Sequence, residues 1–168
     1  MNNFEKIYQL IGGIIVPITF LLAFVMLPSA IVSFGNPSVL FGLFVFVCVV
    51  IYVVKSTQFF RRNILGNTSA RASAKHLIYI NGAFALFFFL QICMVFFVVY
   101  LMPNVFKDAL KMASEQVSAQ MGENFPVEKI YGMLKIIVTV LFVYSLLLAV
   151  HVVMSFVLVR KYRDLFNG

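Results

Sequence analysis

The chain has 168 residues, of which 62% are hydrophobic and only 11% charged, and its mean hydropathy is +1.01. Soluble domains run at about 45–50% apolar and about 25% charged residues, so this composition excludes a water-solvated globule and points to an all-α membrane protein. The net charge of +7 comes from cations in tails and loops beside apolar runs, which makes membrane lipids the expected partner and argues against nucleic acid.

The first apolar run, residues 7–27, covers 21 positions after Glu5 and Lys6. A signal-peptide core is about 7–15 residues long and ends at a small-x-small site. Pro28-Ser29-Ala30 is a poor one, so the run reads as a membrane span. Within it, Gly12-Gly13 followed by Pro17 predicts a helix break or kink near mid-membrane, because a proline ring collides with the carbonyl four residues back. The second run, 39–54, is short and borrows residues on both sides. Its inner flank, Gln58 to Leu65, can continue the helix, with Gly66 and Asn67 suited to stop it and Thr68 or Ser69 suited to cap the next.

The connection 55–75 holds Lys55, Arg61, Arg62, Arg71 and Lys75 and no acid. Such a cluster serves topology and attracts anionic lipid head groups, at about 1 kcal/mol per cation close to the surface. The third run, 77–101, leads into an outer segment at 103–130. There Phe106, Ala109, Leu110, Ala113, Val117 and Met121 recur at helical spacing opposite Lys107, Asp108, Lys111, Glu115 and Ser118, which predicts an amphipathic helix from Asn104 to Met121. Gly122 and Pro126 bracket its end. The fourth run is 136–159.

With their flanks, the four spans are expected at about 7–27, 38–56, 76–101 and 131–159, each long enough to cross roughly 30 Å of hydrocarbon. Nine Lys and Arg fall on one side of them and four on the other, which places both chain ends and the basic connection in the cytoplasm of a cell in whose inner or plasma membrane the protein sits. The chain is thus expected to be a single membrane domain over 1–168, an antiparallel four-helix bundle with a short outer helix between spans three and four. There is no Trp, so Tyr8, Tyr52, Tyr100 and Tyr131 are the expected interface markers.

Polar residues inside the spans are the candidates for chemistry. Counting 1.5 Å per residue from Lys75 and Arg160, Gln91 and Tyr144 lie roughly 24 Å deep, Asn81 about 9 Å, His151 about 13 Å and Ser155 about 7 Å. Tyr144, Leu148, His151 and Ser155 share one helix face, expected to look inward because polar groups facing lipid lack partners. Asn81, Gln91, Tyr144, His151 and Ser155 then form either a ligand site or a set of interhelical hydrogen bonds. The latter are common and average about 0.6 kcal/mol. His76 and His151 differ in depth by about 12 Å, too far for one haem iron. Cys48 and Cys93 lie at depths of roughly 10 and 27 Å, too far apart for a disulfide. No metal or cofactor is expected.

Small residues at Gly82, Ala83, Ala85, Ser145 and Ala149 suit close helix packing. No nucleophile-base pair, carboxylate pair or phosphate loop is present in the sequence. The expected function is that of a non-enzymatic accessory or structural membrane subunit, working through helix contacts and the outer helix, with a protein partner or a second copy of itself. The alternative is a small oligomeric transporter or channel using the Gly12-Gly13-Pro17 break and the polar face.

Overall fold

A computed structural model describes residues 2–32, 37–121 and 127–166, and they are helical almost throughout, with no strand among them. The helices are α1 (Asn3–Val32), α2 (Pro37–Gln58), α3 (Ala72–Leu101), α4 (Pro103–Met121) and α5 (Val127–Lys161). A π-helical segment, Phe59–Leu65, prolongs α2, and a 3-10 turn, Arg163–Phe166, follows α5. Four stretches are long and apolar enough to cross a membrane: Asn3–Met26, Val39–Leu65, Ala72–Leu101 and Ile130–Lys161. At 1.5 Å per residue even the 24-residue first stretch reaches about 36 Å.

Prolines account for two of the helix starts. Pro37 and Pro103 occupy the first positions of α2 and α4, where a missing N–H costs nothing. Pro103 also ends α3, since its ring disfavours helical geometry in the residue before it. Of the break or kink expected at Gly12-Gly13-Pro17, an interruption is not found: α1 is helical from Asn3 to Val32 with Pro17 and Pro28 inside it. The other backbone hydrogen bonds of the helix carry it past the one that each proline lacks. α4 starts one residue before the expected Asn104 and keeps its expected end. The side chains of Val117, Ser118 and Met121, and the bracketing Gly122 and Pro126, lie outside the described residues.

The chain divides into two compact units, Met1–Phe89 with Leu146–Gly168, and Leu90–Ser145. In the first unit, Ile15, Val45, Val49, Val53, Ile78, Leu148, Val152 and Val159 are fully buried. Phe44 meets Phe84 edge-on at 5.3 Å and Tyr79 tilts against Phe156 at 5.0 Å. Gly82 lets that ring sit close, since a Cβ there would stand 2.7 Å from Phe156. Leu10 and Phe24 are 68% and 77% exposed, side chains for which a lipid tail is a suitable solvent.

One end of this unit gathers three parts of the chain. The Glu5 carboxylate, at the start of α1, accepts hydrogen bonds from Lys161 (2.9 Å), Tyr162 (2.7 Å) and the Asn2 backbone N–H (3.0 Å). The 3-10 turn reaches the link between α2 and α3: Phe166 stacks on Phe59 at 5.1 Å, and the Ala70 N–H donates to the Leu165 carbonyl at 2.7 Å.

That link differs from expectation in its capping. Thr68 does not cap α3, which starts at Ala72. Its hydroxyl donates instead to the Arg62 carbonyl at 2.6 Å, and Asn63 Nδ2 donates to the carbonyls of Ser69 (2.7 Å) and Thr68 (3.2 Å). Thr68 thus serves a carbonyl at the end of the π segment, whose i→i+5 pattern an ordinary helix stop would not match, and Asn63 ties that segment to the link after it. Asn67 sits in the left-handed region at φ 48°, which Asn tolerates.

In the second unit, Phe96 stacks between Phe142 (4.1 Å) and Tyr100 (4.5 Å). The Tyr100 hydroxyl meets Thr139 Oγ1 at 2.7 Å, and Thr139 donates to the Lys135 carbonyl. The first turn of α4 rests on Tyr131, with Phe106 at 6.0 Å and the Lys107 ammonium 5.0 Å above the ring.

Gly66 and Gly13 separate two kinds of glycine. A Cβ at Gly66 would run into the Arg62 backbone carbonyl oxygen, whereas one at Gly13 meets nothing within 4 Å. Gly66→Ala is expected to destabilise by about 1–3 kcal/mol through overpacking. Gly13→Ala should be neutral or stabilising by up to about 1 kcal/mol, from helix propensity. Unfolding titrations in mixed micelles would check this, and equal midpoints for the two variants would contradict it.

Candidate functional site

The first unit contains a buried polar centre built on α1, α2 and α5. Tyr8, Tyr52, His151 and Ser155 are between 0% and 2% exposed. The Tyr52 hydroxyl lies 2.8 Å from His151 Nδ1 and 2.6 Å from Ser155 Oγ. The Tyr8 hydroxyl lies 3.0 Å from the same Ser155 Oγ, which also donates to the His151 carbonyl at 2.9 Å. Tyr8 stacks on the imidazole with ring centres 4.3 Å apart.

These four contacts have only one proton assignment that fills them all. The His151 carbonyl has no proton, so Ser155 must donate to it. Ser155 has no second proton, so Tyr8 and Tyr52 must both donate to Oγ. Tyr52 has then spent its proton, and the last contact requires His151 Nδ1–H to donate to the Tyr52 oxygen. With all four contacts filled, a neutral imidazole carries its proton on Nδ1 and its lone pair on Nε2.

Nε2 is buried and has no hydrogen-bond partner, the one such side-chain atom among the described residues. It faces α1 at Gly12, where a Cβ would stand 3.3 Å from it. His151 also lines a cavity of about 220 Å³ together with Tyr8, Gln9, Gly12, Gly13, Val16, Pro17, Thr57, Phe60 and Arg61. The proline and glycines of α1 thus wall a cavity without breaking the helix.

A second, larger cleft of about 680 Å³ lies beside the link between α2 and α3. Lys55, Arg62 and Arg71 line it with Gln58, Asn63, Thr68, Ser69 and Ser73, and Phe59, Ala74 and Leu77 supply its apolar wall. Three cations and no acid make it complementary to a phosphate, which such side chains hold through charge-assisted hydrogen bonds. Of the five cations expected to meet anionic head groups, three share this cleft. Arg61 turns to the smaller cavity, and Lys75 lines neither.

Of the five polar residues expected to form one face, the structure brings together His151 and Ser155. Asn81 is buried but donates to the Leu77 carbonyl of its own helix at 2.8 Å. Tyr144 is buried and Gln91 half-buried, both in stretches assigned to the second unit or its edge. Tyr8 and Tyr52 correct the sequence reading, which took them for interface markers; they complete the polar centre instead. For Tyr52 the missed signal is depth: the π segment prolongs α2 past Arg61, which puts Tyr52 nine residues before that cation, as His151 is before Arg160. Cys48 and Cys93 are free thiols, and no group of three metal-ligating side chains occurs among the described residues.

Comparison of the chain with protein-family models, with curated proteins and with solved structures returned no match. The site's own geometry therefore carries the functional reading.

The proton assignment makes the two tyrosines unequal. Tyr52→Phe takes a donor from Ser155 and strands Nδ1–H without an acceptor, and is expected to destabilise by about 1–3 kcal/mol. Tyr8→Phe removes one interhelical bond and about 0.6 kcal/mol. Unfolding of both variants in detergent would measure the difference; a Tyr8→Phe effect equal to that of Tyr52→Phe would contradict the assignment.

Proposed function

We propose that the chain is a non-enzymatic integral protein of the cell membrane, an accessory or structural subunit that works through helix contacts in the bilayer and through α4. In this reading the four apolar helices form an antiparallel bundle with both chain ends and the basic connection in the cytoplasm. The meeting of Glu5 with Lys161 and Tyr162, and of Leu165 with Ala70, supports a common side for those three parts. The excess of cations there supports the cytoplasmic side. The basic cleft suits anionic lipid head groups as a further partner.

The observation that carries the subunit reading is α4. It is too polar to rank among the four span-like helices, yet Val105 and Met112 are 59% and 66% exposed, while Phe106 and Leu110 are half-covered. Apolar side chains on a helix that also carries Lys107, Asp108, Lys111 and Glu115 suit the surface of a second polypeptide. A photo-cross-linker at Met112 is expected to trap one defined protein in native membranes, and Val105→Lys with Met112→Lys to abolish the product. Capture of lipid alone, together with a companion-free monomer after mild extraction, would refute the reading. In a Cys48→Ala, Cys93→Ala background, an impermeant maleimide should label Asn104→Cys in intact cells and Arg62→Cys only after permeabilisation.

One observation favours a second reading, a small oligomeric transporter or channel: Gly12, Gly13, Pro17 and His151 line one cavity. Liposome flux that survives His151→Ala combined with Pro17→Ala would eliminate it.

A further inference from the structure

We infer that the basic cleft beside the link between α2 and α3 selects a phosphomonoester, the doubly charged head of a lipid such as phosphatidic acid, over the singly charged phosphodiesters of other anionic lipids. This rests on the reading of the cleft as a head-group site and names the head group. Lys55, Arg62 and Arg71 line the cleft, and the protein supplies no counter-ion for them. The unit that holds the cleft has two acids, Glu5 and Asp164, and both lie against other cations, Glu5 2.9 Å from Lys161 and Asp164 3.9 Å from Arg163. Among the described residues, no side chain pairs with Arg62 or Arg71. Both arginines and Ser73 are exposed and Lys55 is half-buried, so a ligand can reach all four.

Charge and oxygen count decide the class. A phosphomonoester at neutral pH carries about −1.5 to −2 charges and presents three strong acceptor oxygens, whereas esterifying one of those oxygens leaves a single charge. Three cations therefore match the monoester in both respects. The start of α3 adds to the same field, since Ser73 and Ala74 of its first turn line the cleft. Arg71 before it has no acceptor, and Thr68 gives its hydroxyl to the Arg62 carbonyl, so neither offsets that positive end. The order of the walls fits a lipid of this kind. Arg62 and Arg71 flank the link, whereas Leu77 lies six residues beyond Arg71, about 9 Å along α3, in a stretch apolar enough to cross a membrane. The Lys55 ammonium reaches back toward the link, 3.5 Å from the Gln58 side-chain oxygen. A terminal phosphate thus meets the arginines, the glycerol backbone follows, and the chains leave past Leu77. Glycerol phosphate is the soluble molecule that shares the head.

The test is native mass spectrometry of the full chain in detergent at neutral pH, titrated with phosphatidic acid, with phosphatidylmethanol, which is the same head closed by one methyl ester, and with glycerol phosphate. Phosphatidic acid should be retained about tenfold more strongly than phosphatidylmethanol, the worth of one further charge-assisted hydrogen bond. That ratio should fall toward one at about pH 5, below the second phosphate pKa of about 6, because Lys55, Arg62 and Arg71 are the only titratable groups lining the cleft and all stay charged there. Arg62→Gln with Arg71→Gln should also bring the ratio close to one, while the Arg62 carbonyl that receives Thr68 is unchanged. Lys6→Gln with Arg160→Gln, which removes the same charge outside the cleft, should keep it. Equal retention of the two lipids at neutral pH, or a ratio that survives either pH 5 or the arginine changes, overturns the proposal. If equal retention is still weakened by the arginine changes, the cleft remains a head-group site without this selectivity; if it ignores them, that reading falls as well. Glycerol phosphate binding as tightly as phosphatidic acid overturns the lipid as the source of the monoester.

Discussion

Hydrocarbon cannot hydrogen-bond, so every polar group placed in a membrane span must find its partner within the protein or remain without one. That constraint organises the first unit. Tyr8 on α1, Tyr52 on α2, and His151 with Ser155 on α5 share four hydrogen bonds, three of them at one serine hydroxyl. Sliding any of the three helices by one turn, about 5.4 Å, would break at least one of these bonds at a site closed to solvent. Apolar packing alone is tolerant of such shifts, since one valine-rich face resembles another. Directional bonds between particular residues are not, and they set the register of helices whose surfaces are otherwise nearly uniform.

The same reasoning, with charge in place of hydrogen bonding, explains the end of that unit. Glu5 is 5% exposed, and an isolated carboxylate so covered would be costly. Lys161, Tyr162 and the Asn2 N–H surround it with donors, so the burial is compensated and the start of α1 is tied to the end of α5. Lys161 keeps about half its side chain in solvent, which limits the Coulombic part of the tie. The hydrogen bonds from Tyr162 and Asn2 supply the geometry.

How far each feature was legible in the sequence depends on the length scale of the signal. The four apolar stretches, and the helical periodicity from Asn104 onward, are averages over many residues, and they reappear as α1, α2, α3, α5 and α4. The placing of Tyr52 depended on a single boundary. Lys55 looks like the end of a span, and the expected continuation of the helix through Leu65 was not carried into the depth count for Tyr52. Thr68 was misassigned for a related reason: its hydroxyl suits a helix start or a free carbonyl behind it, and only the fold shows that Arg62 offers the carbonyl. The partnering of His151 with two tyrosines depends on helix rotation, which no property of one chain's apolar pattern determines when every face is apolar.

The π-helical segment joins these points. Such segments are rare and concentrate at functional sites, because each extra residue weakens the local ladder. Here Phe59 and Phe60, adjacent in sequence, are both 3% exposed, and the two arginines that follow diverge, Arg61 to the cavity of His151 and Arg62 to the basic cleft. Removing one residue from the segment would rotate everything beyond it by about 100° relative to α2. The arginine beside the His151 cavity would be displaced, while Tyr52, on the near side of the segment, would keep its bonds to His151 and Ser155. The fold thus separates two tasks along one helix: α2 up to Gln58 holds the polar centre in register, and the wider turns beyond it aim cations at two different cavities.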